Sequence, residues 1–304
     1  MGHPQVESRF GPAATTTAPA LVAGSSLVVF GVDWDRVGRV LNRSVELRGV
    51  PSASPCELEG LQRQVPQATL TFLGVSPFDL NEHFVGDFRS ECVPFTQAVS
   101  DLWHSGADWA FTKRVLSQYP LRFLRLLFPT AGRSLGVMVG LREKARKILR
   151  PNSAASESGP TMGASTDPHA KERISDWPSD RTLRNLAQMR GSCLGRQAFD
   201  GPKQLALGRM ISQAAQQGRA VVLVLPVSAA YAREFLKPEA AAQFAEAIRR
   251  MQSAHPEAQW VRLDQLPELQ SEDLFWDLVH LNAEGKRRAT DFLLAQLESS
   301  ASQR

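Results

Sequence analysis

Short runs of apolar, β-branched residues alternate along this chain with longer stretches whose apolar positions recur at helical spacing. "ALVAGSS" (Ala20–Ser26) is an apolar run stopped by Gly24 and two serines, the pattern of a buried strand entering a tight turn. "DWDRVGRVLN" follows with helical spacing, then "SVELRG" as a second short strand. "SPCELEGLQRQV" reads as a helix with Ser54 as N-cap and Glu57 three residues on, a capping box. "ATLTFLGVS" (Ala68–Ser76) has the composition of a third strand. "RAVVLVLPVS" (Arg219–Ser228) is a continuous Val/Leu run, which suits a parallel strand covered on both faces. A helix containing "ALGRMISQAAQQG" precedes it, with Gly218 as its stop, and one containing "PEAAAQFAEAIRRMQ" follows. "QWVRLD" gives a fifth strand and "NAEGKRRATDFLLAQLES" a closing helix.

Strands that alternate with helices predict βαβ units, and hence a three-layer α/β/α fold around a parallel five-stranded sheet. Such sheets place ligands at the carboxyl ends of their strands. The turns at Gly24–Ser26, Gly49–Ser52, Ser76–Pro77 and Pro226–Ser228 all fall at that edge. The loop "FWDLVHLNAEG" (Phe275–Gly285) follows the last strand and reaches the same edge. The expected layout is a flexible leader over 1–19, an α/β domain over 20–77 and 203–304, a basic helical insertion over 78–150, a flexible linker over 151–180 rich in Ser, Gly, Pro and Ala, and a return helix or loop over 181–202.

Composition narrows the classes. With 43% hydrophobic and 22% charged residues in 304, the chain reads as an ordinary globular protein. Cys56, Cys92 and Cys193 are far apart and form no disulfide framework or zinc spacing. His83, His104, His169 and His255 are scattered without ligand spacing, so no metal is expected. No GxGxxG or P-loop signals a nucleotide, and no cofactor is expected. No apolar run is long enough to span a bilayer, and the first residues lack the basic start and apolar core of a signal peptide. A cytoplasmic or membrane-peripheral protein is therefore expected, or an exported one if the start is truncated.

The net charge of +4 hides a local excess. From Trp109 to Arg150 ten Lys and Arg residues face Glu143 alone, so that segment carries +9 and the rest of the chain −5. Because the basic residues interleave with Leu, Phe and Trp, three functional readings are open: a lid over the strand edge, contact with an anionic membrane surface through 109–150, or a polyanion site. A solvated helical hairpin with its apolar side on the sheet is the plainer alternative. No nucleic-acid-binding motif accompanies the segment, and nucleic acid is not expected as a partner.

Two short stretches carry candidate chemistry. A serine becomes a nucleophile when a base removes its proton and donors hold the oxyanion, and a turn after a strand exposes its Oγ. Ser26 in "AGSSLV" has that setting, although Ser25 and Ser26 would equally serve to cap the next helix. Asp277 and His280, three apart, can meet as a carboxylate that orients an imidazole. They would also fit a capped turn with a satisfied histidine.

Together, "AGSS" and "DLVHLNAEG" resemble the SGNH (GDSL-like) esterase and acyltransferase superfamily, in which a serine follows the first strand and a DxxH motif precedes the last helix. The similarity covers the sheet framework, about Ala20–Gly74 and Lys203–Leu297, and not the insertion. It is closest to the Gly-Ser-Ser subgroup of bacterial proteins associated with cell-surface polysaccharides, including O-acetyl transfer and teichoic acid D-alanylation, and "LPVSAAY" is also similar to that subgroup. The resemblance implies a flavodoxin-like SGNH fold, a Ser26–His280–Asp277 triad, and a substrate that is an acylated carbohydrate or another small ester. It also implies an oxyanion hole, and here the chain departs from the family. The second block places Ser52 where a glycine N–H is usual, with Gly49 three residues earlier. The third offers Ser76 where an asparagine is usual, with Asn81 as a residue that would have to fold back. A catalytically weak accessory or binding protein of a surface-polysaccharide pathway is the alternative that these departures favour.

Overall fold

The three central strands of the sheet are largely apolar on both sides, and the packing shows why. Ala20, Val22, Leu70, Phe72, Val221 and Leu223 face one core, while Ala23, Leu73, Val75, Ala220, Val222 and Val224 face a second. A period of two thus sends alternate residues of one strand into opposite layers, as a sheet covered by helices on both faces requires. The computed structural model describes residues 20–50, 53–62, 68–83, 93–106, 109–117, 119–120, 171–190 and 197–301.

Five strands, β1 (Ala20–Ser25), β2 (Val45–Val50), β3 (Leu70–Val75), β4 (Arg219–Val224) and β5 (Gln259–Arg262), pair in parallel in the order β2-β1-β3-β4-β5. The expected three-layer α/β/α architecture is what forms. On the first face lie α1 (Ser26–Gly31) and α2 (Trp34–Leu41), with α9 (Ala229–Phe235) and α11 (Ala283–Ala301). On the second lie α3 (Pro55–Gln62), α8 (Pro202–Gln217) and α10 (Pro238–Ala254). The short helix α4 (Pro77–Leu80) leaves β3, and Leu80 joins the second core. This strand order reverses direction between β1 and β3, and in doubly wound sheets that switch point opens a crevice at the carboxyl edge. Ser26 follows β1 and Ser76 follows β3, so both stand at the crevice.

Helix α1 was not expected as a separate element. Its sequence, "SLVVFG", has two β-branched valines and little intrinsic helix preference. Tertiary contacts override that preference. A Cβ on Gly24 or Gly74 would come within 2.3 or 2.0 Å of Val28 Cγ2, so two strands lack side chains where Val28 rests. The buried Trp34 indole N–H then donates to the Val28 carbonyl at 2.9 Å. The strand runs through Gly24 to Ser25 without the predicted turn, and the helix starts at once with Ser26.

One other glycine and one cap behave as physical rules demand. Gly218 ends α8, but its extended backbone is open to any residue; a Cβ there would strike the Thr69 carbonyl oxygen at 2.2 Å, and that close approach is what requires glycine. Ser54 and Glu57 do form the capping interaction, with the Ser54 N–H donating to Glu57 Oε2 at 2.7 Å. The Ser54 hydroxyl also donates to that oxygen.

The insertion begins with α5 (Phe95–His104) and α6 (Trp109–Leu116), which share a small core with Cys56 and Tyr119. Arg209 of α8 ties it down, reaching Glu59 of α3 at 2.7 Å and Asp101 of α5 at 2.8 Å. Trp103 and Trp109 stand out to solvent. The basic stretch over 121–150 lies outside the described residues. Of the linker expected over 151–180, residues 151–170 also lie outside them, whereas residues 171–180 are built into the domain. Ile174 sits in the first core, and its N–H donates to the Phe275 carbonyl at 3.0 Å. A return helix, α7 (Ser179–Met189), follows. Among the described residues no helix is long and apolar enough to cross a membrane.

The contact of α1 with the two strand glycines gives a direct test. Gly74→Ala should lower the unfolding free energy by roughly 1–3 kcal/mol, the cost of overpacking a core, and Val28→Ala should recover part of that loss in the double variant. Urea denaturation of the three proteins measures it. Additive losses in the double variant would show that Val28 does not rest on Gly74.

Candidate active site

Ser25 ends β1 with extended backbone, φ −72° and ψ −177°, and its Oγ accepts the Leu27 N–H at 3.3 Å. It is therefore the N-cap of α1, which leaves Ser26 as the first helical residue with its side chain free for another partner. That partner is His280. Ser26 Oγ lies 2.9 Å from His280 Nε2, although the residues are 254 apart in sequence.

His280 is held from its other side. Its Nδ1 lies 2.7 Å from Asp277 Oδ2. Asp277 Oδ1 accepts the N–H groups of Val279 at 2.8 Å and His280 at 2.7 Å, so the carboxylate is fixed by its own turn. Both readings of "DLVH" are thus realised together: Asp277 caps the turn with one oxygen and orients the imidazole with the other. A carboxylate only accepts, so Nδ1 carries the proton and Nε2 is left with a lone pair facing the Ser26 hydroxyl. Trp276 stacks on the imidazole at 4.9 Å and 15°, and Phe30 meets it edge-on at 6.3 Å. The two rings restrict the tilt of His280, and the stack also favours a transient imidazolium.

The loop that carries the pair is braced at several points. Phe275 and Leu281 form an isolated antiparallel bridge, within which the Trp276 N–H donates to the His280 carbonyl at 3.1 Å. Asn282 donates through Nδ2 to the carbonyls of Asp273 at 2.7 Å and Glu172 at 3.2 Å, and its Oδ1 accepts the N–H groups of Glu284 and Gly285, both at 3.1 Å. It caps α11 and pins the loop at once. Gly285 is needed because a Cβ would lie 2.4 Å from the Leu274 carbonyl oxygen. Ser228, the N-cap of α9 beyond β4, donates its hydroxyl proton to the Leu278 carbonyl at 2.7 Å and ties the loop to the sheet edge.

The predicted oxyanion residues are placed differently from the triad. Gly49 lies inside β2, paired with Gly24, and a Cβ there would strike Val29 Cγ2 at 1.9 Å; it makes room for α1 rather than forming a turn. Ser52 lies outside the described residues. Ser76 is fully buried and caps α4, where its Oγ accepts the N–H groups of Phe78 and Asp79, both at 3.2 Å. Its own proton goes to Asp79 Oδ2 at 2.8 Å. Asn81 does not fold back over the site. Its Oδ1 accepts the N–H groups of His83 at 3.1 Å and Ala198 at 3.3 Å, and its carbonyl accepts from the buried Lys203 ammonium.

Asp79 was not foreseen, yet the signal was present: "SPFD" is a Ser-x-x-Asp capping pattern of the same form as Ser54-x-x-Glu57. It is completely buried beside Ser25 and Ser76. Burial pushes its carboxyl up to about 6, against hydrogen bonding from Ser25 and Ser76 and the nearby charge of Lys203. Its second oxygen, Oδ1, is buried without a hydrogen bond. Tyr231 of α9 is held well above the ordinary tyrosine range by burial and then by the Asp79 charge. Trp276, Phe30 and Ser228 were likewise missed, since nothing in their local pattern distinguishes them from core or cap residues.

Among the described residues no cluster of three or more His, Cys, Asp or Glu side chains could hold a metal ion. The chain matches no protein-family model and no curated protein.

The buried carboxyl makes stability depend on pH. An unfolded Asp79 ionises near 3.8 and a folded one near 6. Between those values the native state keeps a proton that the unfolded chain has released, so this group's contribution falls as pH rises from about 4 to about 6 and stays low above. Asp79→Asn removes the slope. Its stability relative to wild type should therefore increase on going from pH 4 to pH 7.5, by on the order of 3 kcal/mol. Urea unfolding of both proteins at the two pH values checks this, and an unchanged difference would contradict a buried ionising carboxyl.

Proposed function

We propose that this protein is an SGNH-like serine esterase or O-acyltransferase. The observation that carries the reading is the continuous chain from Ser26 Oγ through His280 to Asp277, at 2.9 and 2.7 Å, on the carboxyl edge of a parallel sheet. A helix start and a distant loop would have no structural need to bring a hydroxyl, an imidazole and a carboxylate into line in this order. The sequence resemblance in "AGSS" and "DLVHLNAEG" supports the same class.

Ser26 attacks an ester carbonyl while His280 Nε2 takes its proton. The positive charge that develops on the imidazole is offset by Asp277, and the proton is returned to the leaving alcohol. Water then resolves the acyl-enzyme in an esterase, or a sugar hydroxyl resolves it in a transferase. The oxyanion is assigned to backbone N–H groups, that of Ser26 in the first helical turn and, by resemblance, that of Ser52. The substrate class, an acylated carbohydrate or another small ester, rests on the resemblance alone.

The second reading, a weak accessory protein of a surface-polysaccharide pathway, is favoured by one observation: the Ser76 proton is committed to Asp79, so this side chain does not stand ready as a donor for the oxyanion. Loss of one such donor typically costs about 10²–10³ in rate. Fluorophosphonate labelling separates the two. An enzyme is modified rapidly, Ser26→Ala abolishes the labelling, and His280→Ala reduces it sharply. Asp277→Asn lowers turnover of p-nitrophenyl acetate by orders of magnitude, about 10⁴ where a similar carboxylate fixes the histidine tautomer. An unlabelled Ser26 with ester hydrolysis at the buffer rate would leave only the binding reading.

A further inference from the structure

The apolar side chains of α5 and α6 divide between two directions. Ala98, Leu102 and Val115 pack inward with Cys56 of α3 and Ala206 of α8. Phe95, Val99 and Trp103 recur every four residues along α5 and lie exposed. Trp103 is 84% exposed, and Trp109, at the start of α6, is 76% exposed. Between the two tryptophans Gly106 takes φ +62°, a turn conformation that glycine adopts without strain, and a Cβ there would meet open space. One exposed apolar residue needs no explanation, but a stripe that ends in two tryptophans marks a surface that meets something.

The helices that form this surface present no exposed carboxylate. The acidic side chains of α3, α5, α6 and α8 are Glu57, Glu59 and Asp101, and all three are buried. Glu57 accepts from Ser54, while Glu59 and Asp101 are both paired with Arg209. Lys113, one turn after Trp109 on α6, is exposed. The sequence from Trp109 to Arg150 holds ten Lys and Arg residues against Glu143 alone. The surface without acids ends at α10, which carries Glu239 and Glu246.

We propose that the outer side of α5 and α6 is a docking surface for an anionic lipid bilayer, with Trp103 and Trp109 in the interfacial layer and Lys113 beside them among the headgroups. Tryptophan favours that layer because its ring is apolar while its indole N–H still finds a hydrogen-bond partner there. Lysine adds attraction to anionic headgroups, and its apolar stem lies along the boundary of the acyl chains. The charge selects a lipid surface over a second copy of this chain. Two such edges face to face would set Lys113 and the basic sequence that follows it against their own like charges. The α5–α6 pair is anchored on α3 and α8, on the second face of the sheet, whereas α1 with Ser26 lies on the first. The docking surface therefore does not depend on the proposed reaction.

The test is co-sedimentation of the full chain with vesicles of equimolar phosphatidylcholine and phosphatidylglycerol, beside vesicles of phosphatidylcholine alone. The wild-type protein should bind the anionic vesicles about tenfold or more tightly than the neutral ones, and salt at about 1 M should remove that preference. Replacing both tryptophans, Trp103→Ser with Trp109→Ser, should weaken the binding by about tenfold, since both rings leave the interface. Lys113→Glu should weaken it by about fivefold. Brominated acyl chains in the anionic vesicles should quench wild-type tryptophan fluorescence and spare that of the double variant. The substituted side chains are exposed, and an unchanged urea midpoint verifies that each variant is folded. Equal binding to both kinds of vesicle, binding that survives loss of both tryptophans, or a wild-type protein that brominated lipid does not quench would each overturn the proposal. So would a wild-type dimer in sedimentation equilibrium that dissociates in the double variant, because a second copy would then cover the stripe.

Discussion

Val28 lies against two strands at the points where neither has a side chain, and the candidate site depends on that contact. The strands end in Gly24-Ser25 and Gly74-Val75, and the short helix α1 settles directly onto them. With any larger residue at either glycine, the helix would be lifted by the width of a methyl group and Ser26 would move with it. The distance from Ser26 Oγ to His280 is within hydrogen-bond range, and a shift of even 1 Å would break it. Apolar packing on the sheet thus sets the precision of a polar contact between residues 254 apart in sequence.

The opposite half of the site is positioned by polar contacts. Asp277, Asn282 and Ser228 each bond to backbone groups of the loop or its neighbours, and the segment around Ile174 closes over it from the far end of the insertion. The loop carrying His280 therefore has much of its backbone hydrogen bonding matched locally, as a loop at a sheet edge must. A different balance holds beneath Ser26. There the fold buries Asp79 and Lys203 in full, at an energetic cost that a purely structural core would avoid.

Much of this was legible in the chain. Strands with continuous apolar runs, such as "RAVVLVLPVS", and helices bounded by caps gave the parallel five-stranded sheet and its edge. Ser26, Asp277 and His280 stood out because their spacing suits one chemistry and their positions fall on one edge. The oxyanion side was not legible. Ser76 reads identically as a donor and as a cap, and only the direction of its proton distinguishes them. Asn81 sits close in sequence, but its amide is drawn away by backbone groups at His83 and Ala198, a contact that sequence spacing does not encode. Helix α1 was missed for a related reason: its residues favour strand, and the glycines that make room for it lie in three other elements.

The central claim is that Ser26 is a nucleophile activated by His280. The most direct measurement is intact-mass spectrometry of the protein quenched within the first turnover with p-nitrophenyl acetate, followed by peptide mapping. The expected result is one acetyl group per chain, located on Ser26 and absent from His280→Ala. An unmodified protein, or an acetyl group on a lysine that persists in His280→Ala, would contradict it.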